Sequence, residues 1–194
     1  MRRVNPSDIG IDQDNYHFHL ARYLFVARQL QSTDSVLEVG CGVGYGARLL
    51  ADTAKSVYAQ DAETNLESDW ANFEKDNLTF STQLPDSGSF DCVVSLEVVE
   101  HIEPQDVPSY MSTIKKYLSE TGFAVISIPR ALPFEKRSKD RQEFHAYEYS
   151  PSEFKALLQD HFENVFVFGQ NDGLISIQNL ECTWNMIAIC TQKK

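Results

Sequence analysis

The stretch that most constrains this chain is Val36-Leu37-Glu38-Val39-Gly40-Cys41-Gly42-Val43-Gly44-Tyr45-Gly46. A short apolar run carries an acid, and four glycines follow at every second position. Ala47-Arg48-Leu49-Leu50-Ala51 then opens a helical pattern. The order reads as strand, tight loop, helix. Glycine lets the backbone turn sharply and approach a ligand with no Cβ in the way. The following helix points unpaired N–H groups and its positive dipole end toward the same place. Further on, Val57-Tyr58-Ala59-Gln60-Asp61 reads as a second strand ending in an acid, placed to accept hydrogen bonds from the two ribose hydroxyls of a nucleoside.

The rest of the chain repeats the alternation. A helix is expected over about residues 14–31, with Tyr16, Leu20, Tyr23, Leu24, Ala27 and Leu30 on one face. That helix reads as a cover for the sheet, with His17, His19 and Arg22 at its edge; the alternative is that these residues and Tyr23 line an acceptor site. Residues 1–13 read as a loose polar arm. Strands are expected at Ser35–Val39, Ser56–Gln60, Asn77–Ser81, Phe90–Ser95 and Phe123–Ile128, with helices after the first, second and fourth. Residues 129–149 read as a charged active-site loop. Ser150-Pro151-Ser152-Glu153 is a strong helix start, and that helix is expected to run to His161. Strands at Val165–Phe168 and Cys182–Cys190 follow with no helical pattern between them, so they read as a hairpin placing one antiparallel strand in the sheet. The expected fold is α/β: a Rossmann-like doubly wound sheet, mostly parallel, in one domain spanning residues 1–194.

Composition narrows the function. With 194 residues, 42% of them apolar, the chain can bury one core. A net charge of −11 argues against nucleic acid as a partner, since phosphate binding needs basic surface. Cys41, Cys92, Cys182 and Cys190 form no C-x-x-C pair, and three sit in apolar runs, as small buried thiols of a reducing compartment do. Polar residues follow Met1-Arg2-Arg3, and no apolar run reaches membrane-spanning length, so a cytoplasmic location is the expectation.

Two cofactor patterns fit the glycine loop. Gly42-x-Gly44-x-x-Ala47 loosely satisfies the dinucleotide fingerprint, with Asp61 at a fitting distance. Glu38-x-Gly40-x-Gly42-x-Gly44 fully satisfies the acid-x-Gly-x-Gly-x-Gly pattern, and here the sequence resembles the class I S-adenosylmethionine-dependent methyltransferases over nearly its whole length. The resemblance implies S-adenosylmethionine as methyl donor. It places Glu38, Gly40, Cys41, Gly42 and Gly44 along the donor, Asp61 and Ala62 at its ribose, and Leu96 beside it. Relatives often carry an acid before a Leu-Pro after the third strand; this chain has Ser81-Thr82-Gln83-Leu84-Pro85, leaving Thr82, Gln83 and Leu84 to meet the adenine.

A second constellation is Ser95-Leu96-Glu97-Val98-Val99-Glu100-His101-Ile102, at the carboxyl end of the fourth strand. On a helical turn Glu97, Glu100 and His101 would share a face. His145 lies in the later loop. These two carboxylates and two imidazoles are a candidate set for a divalent metal, and Glu97, His101 and His145 are candidates for catalysis. The E-x-x-E-H run with a later His resembles the RNA terminal ribose 2′-O-methyltransferases. Over the whole chain, bacterial methyltransferases of glycans and small molecules are the better match. Arg130, Lys136, Arg137, Lys139 and Arg141 crowd the loop as candidates for an anionic acceptor or as a solvated lid. The implied reaction is O-methylation of a small-molecule or glycan hydroxyl. The alternatives are a metal-dependent RNA ribose methyltransferase and a catalytically silent donor-binding scaffold; oligomeric state is not legible.

Overall fold

The computed structural model describes residues 13–194, with side chains from Tyr16 onward; the N-terminal polar arm falls outside them. Among the described residues, eight strands form one sheet: β1 (Ser35–Val39), β2 (Ser56–Gln60), β3 (Leu78–Ser81), β4 (Phe90–Leu96), β5 (Leu118–Pro129), β6 (Phe162–Asn171), β7 (Leu174–Ser176) and β8 (Asn185–Lys193). Their order is β3-β2-β1-β4-β5-β8-β6-β7. The first five are parallel to one another. β8 is antiparallel between β5 and β6, which is the expected antiparallel region near the C-terminus.

Among the described residues, six α-helices flank the sheet: α1 (Gln13–Ala27), α2 (Tyr45–Leu50), α3 (Glu67–Trp70), α4 (Val107–Tyr117), α5 (Lys139–Phe144) and α6 (Pro151–His161). Alternation along β1 explains the two cores. Val36 joins Val57, Ala59, Val94 and Val125 under α1 and α2, where Val26, Ala47 and Leu50 are fully buried. Leu37 and Val39 join Val93, Ile126 and Ile128 under α4 and α6, against Met111, Ile114, Phe154 and Leu158. Strands covered on both faces read as continuous apolar runs, which is why β1, β2 and β4 were visible in sequence.

α6 starts as its sequence requires. Ser150 Oγ accepts from Glu153 N at 3.3 Å and Glu153 Oε2 accepts from Ser150 N at 2.8 Å, closing a capping box. Two elements differ from expectation. The segment 129–149 holds a 3-10 turn at Phe134–Lys136 and α5, whose Ser138 cap accepts from Arg141 N at 3.2 Å, so it is more ordered than a loop. The connection after β6 also holds β7, which pairs with Gly169–Asn171 through a turn at Asp172-Gly173. Asp-Gly between two strands is a hairpin signal, and Asp172-Gly173 supplies it here.

Gly46 fixes how α1 lies on α2. A Cβ built there falls 2.0 Å from the Tyr23 ring. Gly46→Ala is therefore expected to push α1 off the sheet and cost about 1–3 kcal/mol by overpacking, read as a fall in urea midpoint at unchanged m-value.

Candidate donor and acceptor site

The site lies where β1, β2 and β4 end. Gly40, Gly42 and Gly44 all have left-handed backbones, φ 84°, 57° and 95°, a region that costs other residues energy. The loop's own amides are largely committed. Gly40 N and Cys41 N donate to Gln60 O at 2.7 and 2.9 Å, and Gly44 N donates to Cys41 O at 3.2 Å. Gly42 N donates to Asp61 Oδ2 at 2.8 Å, while Asp61 Oδ1 accepts from Glu63 N at 3.1 Å. Asp61 is thus pinned at the mouth of β2. Gly44 has a packing role: a Cβ there would meet the Phe80 ring at 2.6 Å and Trp70 at 3.2 Å. Those two rings stack 5.3 Å apart, and Trp70 Nε1 donates to Gly42 O at 2.8 Å.

A cleft of about 720 Å³ opens at these strand ends, walled by Gly40, Asp61, Ala62, Glu97, His101 and Tyr110 among others. A narrower limb of about 90 Å³ shares Gly40 and Glu97 with it and runs under α1, between Arg22, Tyr23, Cys41 and Leu96. Of the residues expected around the donor, Gly40, Cys41, Gly42, Asp61, Ala62 and Leu96 line these spaces. Thr82, Gln83 and Leu84 do not. Thr82 faces a separate cleft beside Trp70 and Phe80, the Gln83 carbonyl accepts from Tyr58, and Leu84 packs into the core. Gln60, Glu63 and Asn65 stand on the cleft wall instead, residues that no motif singled out.

The face expected to join Glu97, Glu100 and His101 does not form. Glu97 has a left-handed backbone, φ 59°, and the turn after it, Val99–His101, is 3-10 rather than α. Its carboxylate points into the sheet, accepting from Ser127 Oγ at 2.8 Å and from Asn185 Nδ2. Glu97 is therefore outside the group of Glu100, His101 and His145, whose ligand atoms all lie within 4.8 Å of one another. The Nδ1 of His101 sits 2.8 Å from Phe144 O, and that of His145 sits 2.9 Å from Glu148 Oε1. A carbonyl and a carboxylate only accept, so Nδ1 of each imidazole carries a proton, and Nε2 is the nitrogen that has the lone pair in the neutral ring. The rings meet edge to face, centroids 5.0 Å apart. Burial holds His145 below the usual histidine value, against the opposing pull of Glu148. Glu100 is 1% exposed and its Oε2 has no hydrogen-bond donor; burial first, and then Glu97, push its carboxyl well above the usual range.

The arginines of the loop are spent internally, while Lys136 and Lys139 are exposed. Arg137 and Arg141 ion-pair with the buried Glu148 carboxylate at 3.1 and 2.7 Å, and Arg130 Nε donates to Thr183 O at 2.7 Å. Burial alone would raise the Glu148 carboxyl, but Arg141, the Leu132 amide and His145 together hold it low. These arginines anchor the segment and are not an open anion site.

Glu38 lies behind the glycine loop, 1% exposed, accepting from Tyr23 OH at 2.8 Å through Oε1. Burial, opposed by that bond and reinforced by Asp61, pushes its carboxyl up from 4.5 to about 7. The folded state then holds the proton more tightly than the unfolded state, so stability falls as pH rises from the unfolded value through about 7. Glu38→Gln keeps an acceptor for Tyr23 and cannot ionise. It is expected to stabilise the fold by about 3 kcal/mol at pH 8 and by under about 1 kcal/mol at pH 5, measured by urea denaturation at the two pH values.

A family model described as a methyltransferase domain matches residues 13–165. The chain is 32% identical over 159 residues to a "Probable S-adenosylmethionine-dependent methyltransferase" of Mycolicibacterium smegmatis, a match covering 77% of this chain and 60% of that protein. It is 36% identical over 99 residues to the "Ubiquinone biosynthesis O-methyltransferase" of Rickettsia conorii, covering 47% of this chain and 34% of that one. The match thus spans little more than half the length of the mycobacterial relatives and about a third of the Rickettsia conorii one. Among solved structures, the DhpI–SAH complex superposes with a TM-score of 0.65 at 18% identity, over 93% of this chain and 95% of that one. The matched region runs from α1 into β6 and contains the glycine loop, Asp61 and both imidazoles; the chain belongs to the methyltransferase domain family.

Proposed function

We propose that this chain transfers the methyl group of S-adenosylmethionine to a hydroxyl of a small molecule or glycan precursor. The observation that carries the reading is the pairing of an Asp61-locked glycine loop with an imidazole on the wall of the same cleft. Asp61 takes the ribose hydroxyls, and the methyl group is presented toward Glu97 and His101. The acceptor oxygen attacks the methyl carbon in line, the carbon–sulfur bond breaks, and its electrons neutralise the sulfonium as a thioether. The hydroxyl proton passes to Nε2 of His101, whose Nδ1–H is held by Phe144 O. The protein's main contribution is alignment, since the leaving group needs no activation. A named methyl donor in the Mycolicibacterium relative and the SAH in the DhpI structure support the donor assignment. The net charge of −11 and the internally paired arginines disfavour an RNA acceptor.

A second reading rests on Glu100. Its orphaned Oε2 and the two Nε2 lone pairs form a donor set of one oxygen and two nitrogens that fits a divalent cation. Both imidazoles already donate their other N–H to fixed acceptors, as metal-ligating histidines do. Glu100, His101 and His145 would hold the ion, which would lower the pKa of the acceptor hydroxyl.

Asp61→Ala is expected to weaken binding of the demethylated donor on the order of 10-fold or more in calorimetry by losing charge-assisted bonds; unchanged affinity removes Asp61 from the donor site. His101→Ala is expected to lower turnover on the order of 100-fold or more at unchanged donor affinity, in a screen with labelled donor over sugar nucleotides, glycans and quinones. Activity that survives a chelator assigns the proton to the imidazole alone. Activity lost to chelation and restored by added divalent ion, with heat of ion binding that Glu100→Gln abolishes, assigns the metal-assisted reading.

A further inference from the structure

Among the described residues, one stripe of α1 is left partly open. His17, Leu20, Leu24 and Arg28 recur at helical spacing and form one wall of a groove of about 310 Å³. Its other wall is the free edge of the sheet, with Leu174 and Ile175 of β7. The apolar rims stand well into solvent: Leu24 is 42% exposed and Leu174 63%. Phe166, 57% exposed, continues the patch down β6. It shares a face with Phe168, whose ring packs 5.2 Å from that of Phe25 on α1. Single exposed leucines are ordinary, but apolar rims gathered along one groove mark a contact surface.

The two ends of the groove carry opposite charge. Gln170 Nε2 donates to Phe18 O at 2.7 Å and to Asp172 O at 2.9 Å, which ties the β6–β7 turn to the first half of α1. Arg28 follows the last turn of α1, about 15 Å away from Phe18 at 1.5 Å rise per residue. Asp172 and Arg28 are both exposed, and among the described residues neither forms an ion pair. Between them no carboxylate lines the groove. An apolar strip with an acid at one end and a guanidinium at the other is its own complement under a two-fold rotation. We propose that the occupant of this face is a second copy of this chain. The two α1 helices pack antiparallel, and Arg28 of each meets Asp172 of the partner subunit. Leu24, near the middle of the strip, buries its open surface against the axis. In a chain of net charge −11, a strip so poor in acids is also where two copies approach with least repulsion. One guanidinium is too little to hold an anionic bilayer, which asks for several clustered cations.

Sedimentation velocity of the full chain over about 1–100 μM, where a modest interface forms and dissociates, tests this. The parent is expected to be dimeric at the upper end. Leu24→Asp is expected to weaken association on the order of 100-fold with unchanged circular dichroism, since a charge on the axis faces its own copy. Arg28→Glu is expected to weaken it on the order of 10-fold by setting a like charge against Asp172 of the partner subunit. Asp172→Asn keeps a residue that tolerates the left-handed backbone there, φ 49°. Alone it is expected to weaken association; added to Arg28→Glu it is expected to strengthen it, because it removes the repulsion. That reversal of sign reads the contact between copies and is not produced by a loss of fold. A parent that stays monomeric across the range overturns the proposal. A dimer indifferent to Leu24→Asp overturns it, as does an Asp172→Asn effect of the same sign in both backgrounds. Cosedimentation of a monomeric parent with neutral phosphatidylcholine vesicles would assign the face to a lipid surface and overturns it too.

Discussion

The hydrogen bond from Gly42 N to Asp61 Oδ2 ties the loop after β1 to the end of β2. Without it, two neighbouring strand ends would carry independent loops. With it, three left-handed glycines and a carboxylate form one rigid rim. The rim is held from outside by the Trp70–Phe80 stack, which occupies the space a Cβ on Gly44 would need. It is held from behind by Glu38, whose bond to Tyr23 brings α1 over the loop. The cleft is therefore a property of the sheet, shaped by backbone, and the side chains that distinguish one acceptor from another stand on later elements. This division suits a fold in which ligands sit at the carboxyl ends of parallel strands.

Those later elements depend on a second buried carboxylate. Glu148 receives Arg137, Arg141, His145 and the Leu132 amide, so a segment that is charged and irregular in sequence closes around one acceptor. The Tyr147 amide donates to Glu100 O and the Phe144 carbonyl faces His101, which joins that segment to the turn after β4. The two imidazoles are thus oriented by the same local framework, each with a proton on Nδ1. Glu97, pulled down by Ser127 and Asn185, separates the limb under α1 from the wider cleft and touches both.

What could be read in advance follows from locality. β1, β2 and the start of α6 were legible because their signals are short-range: doubly buried apolar runs, a glycine loop, a Ser-Pro-x-Glu cap. The buried state of Cys41, Cys92 and Cys190 was legible for the same reason. Three features were not. The carboxylate face of Glu97, Glu100 and His101 presumed an α-helical turn, and a left-handed residue followed by a 3-10 turn breaks that geometry. The basic loop read as an anionic-acceptor site or a solvated lid because charge density along a chain does not reveal which acid the fold will bury in its middle. Arg22 was placed at the solvated edge of an amphipathic helix. Its burial comes from Gln170 and the β6–β7 hairpin, 148 residues away for the bonded pair. Only the Asp172-Gly173 turn offered a local hint that such a hairpin existed.

That distant clamp has a consequence for how the molecule is made. Gln170 Nε2 donates to Phe18 O and to Asp172 O, and its Oε1 receives Arg22, so one residue near the end of the chain fastens the first helix in place. Contacts across so long a span close late, after the strands between them are set. As the polypeptide leaves the ribosome, β1 to β5 can assemble as a platform with an open roof. The roof locks only once β6 has emerged and turned back on itself. The limb under α1 is therefore closed by a strand that follows the limb's own walls at long range in the sequence.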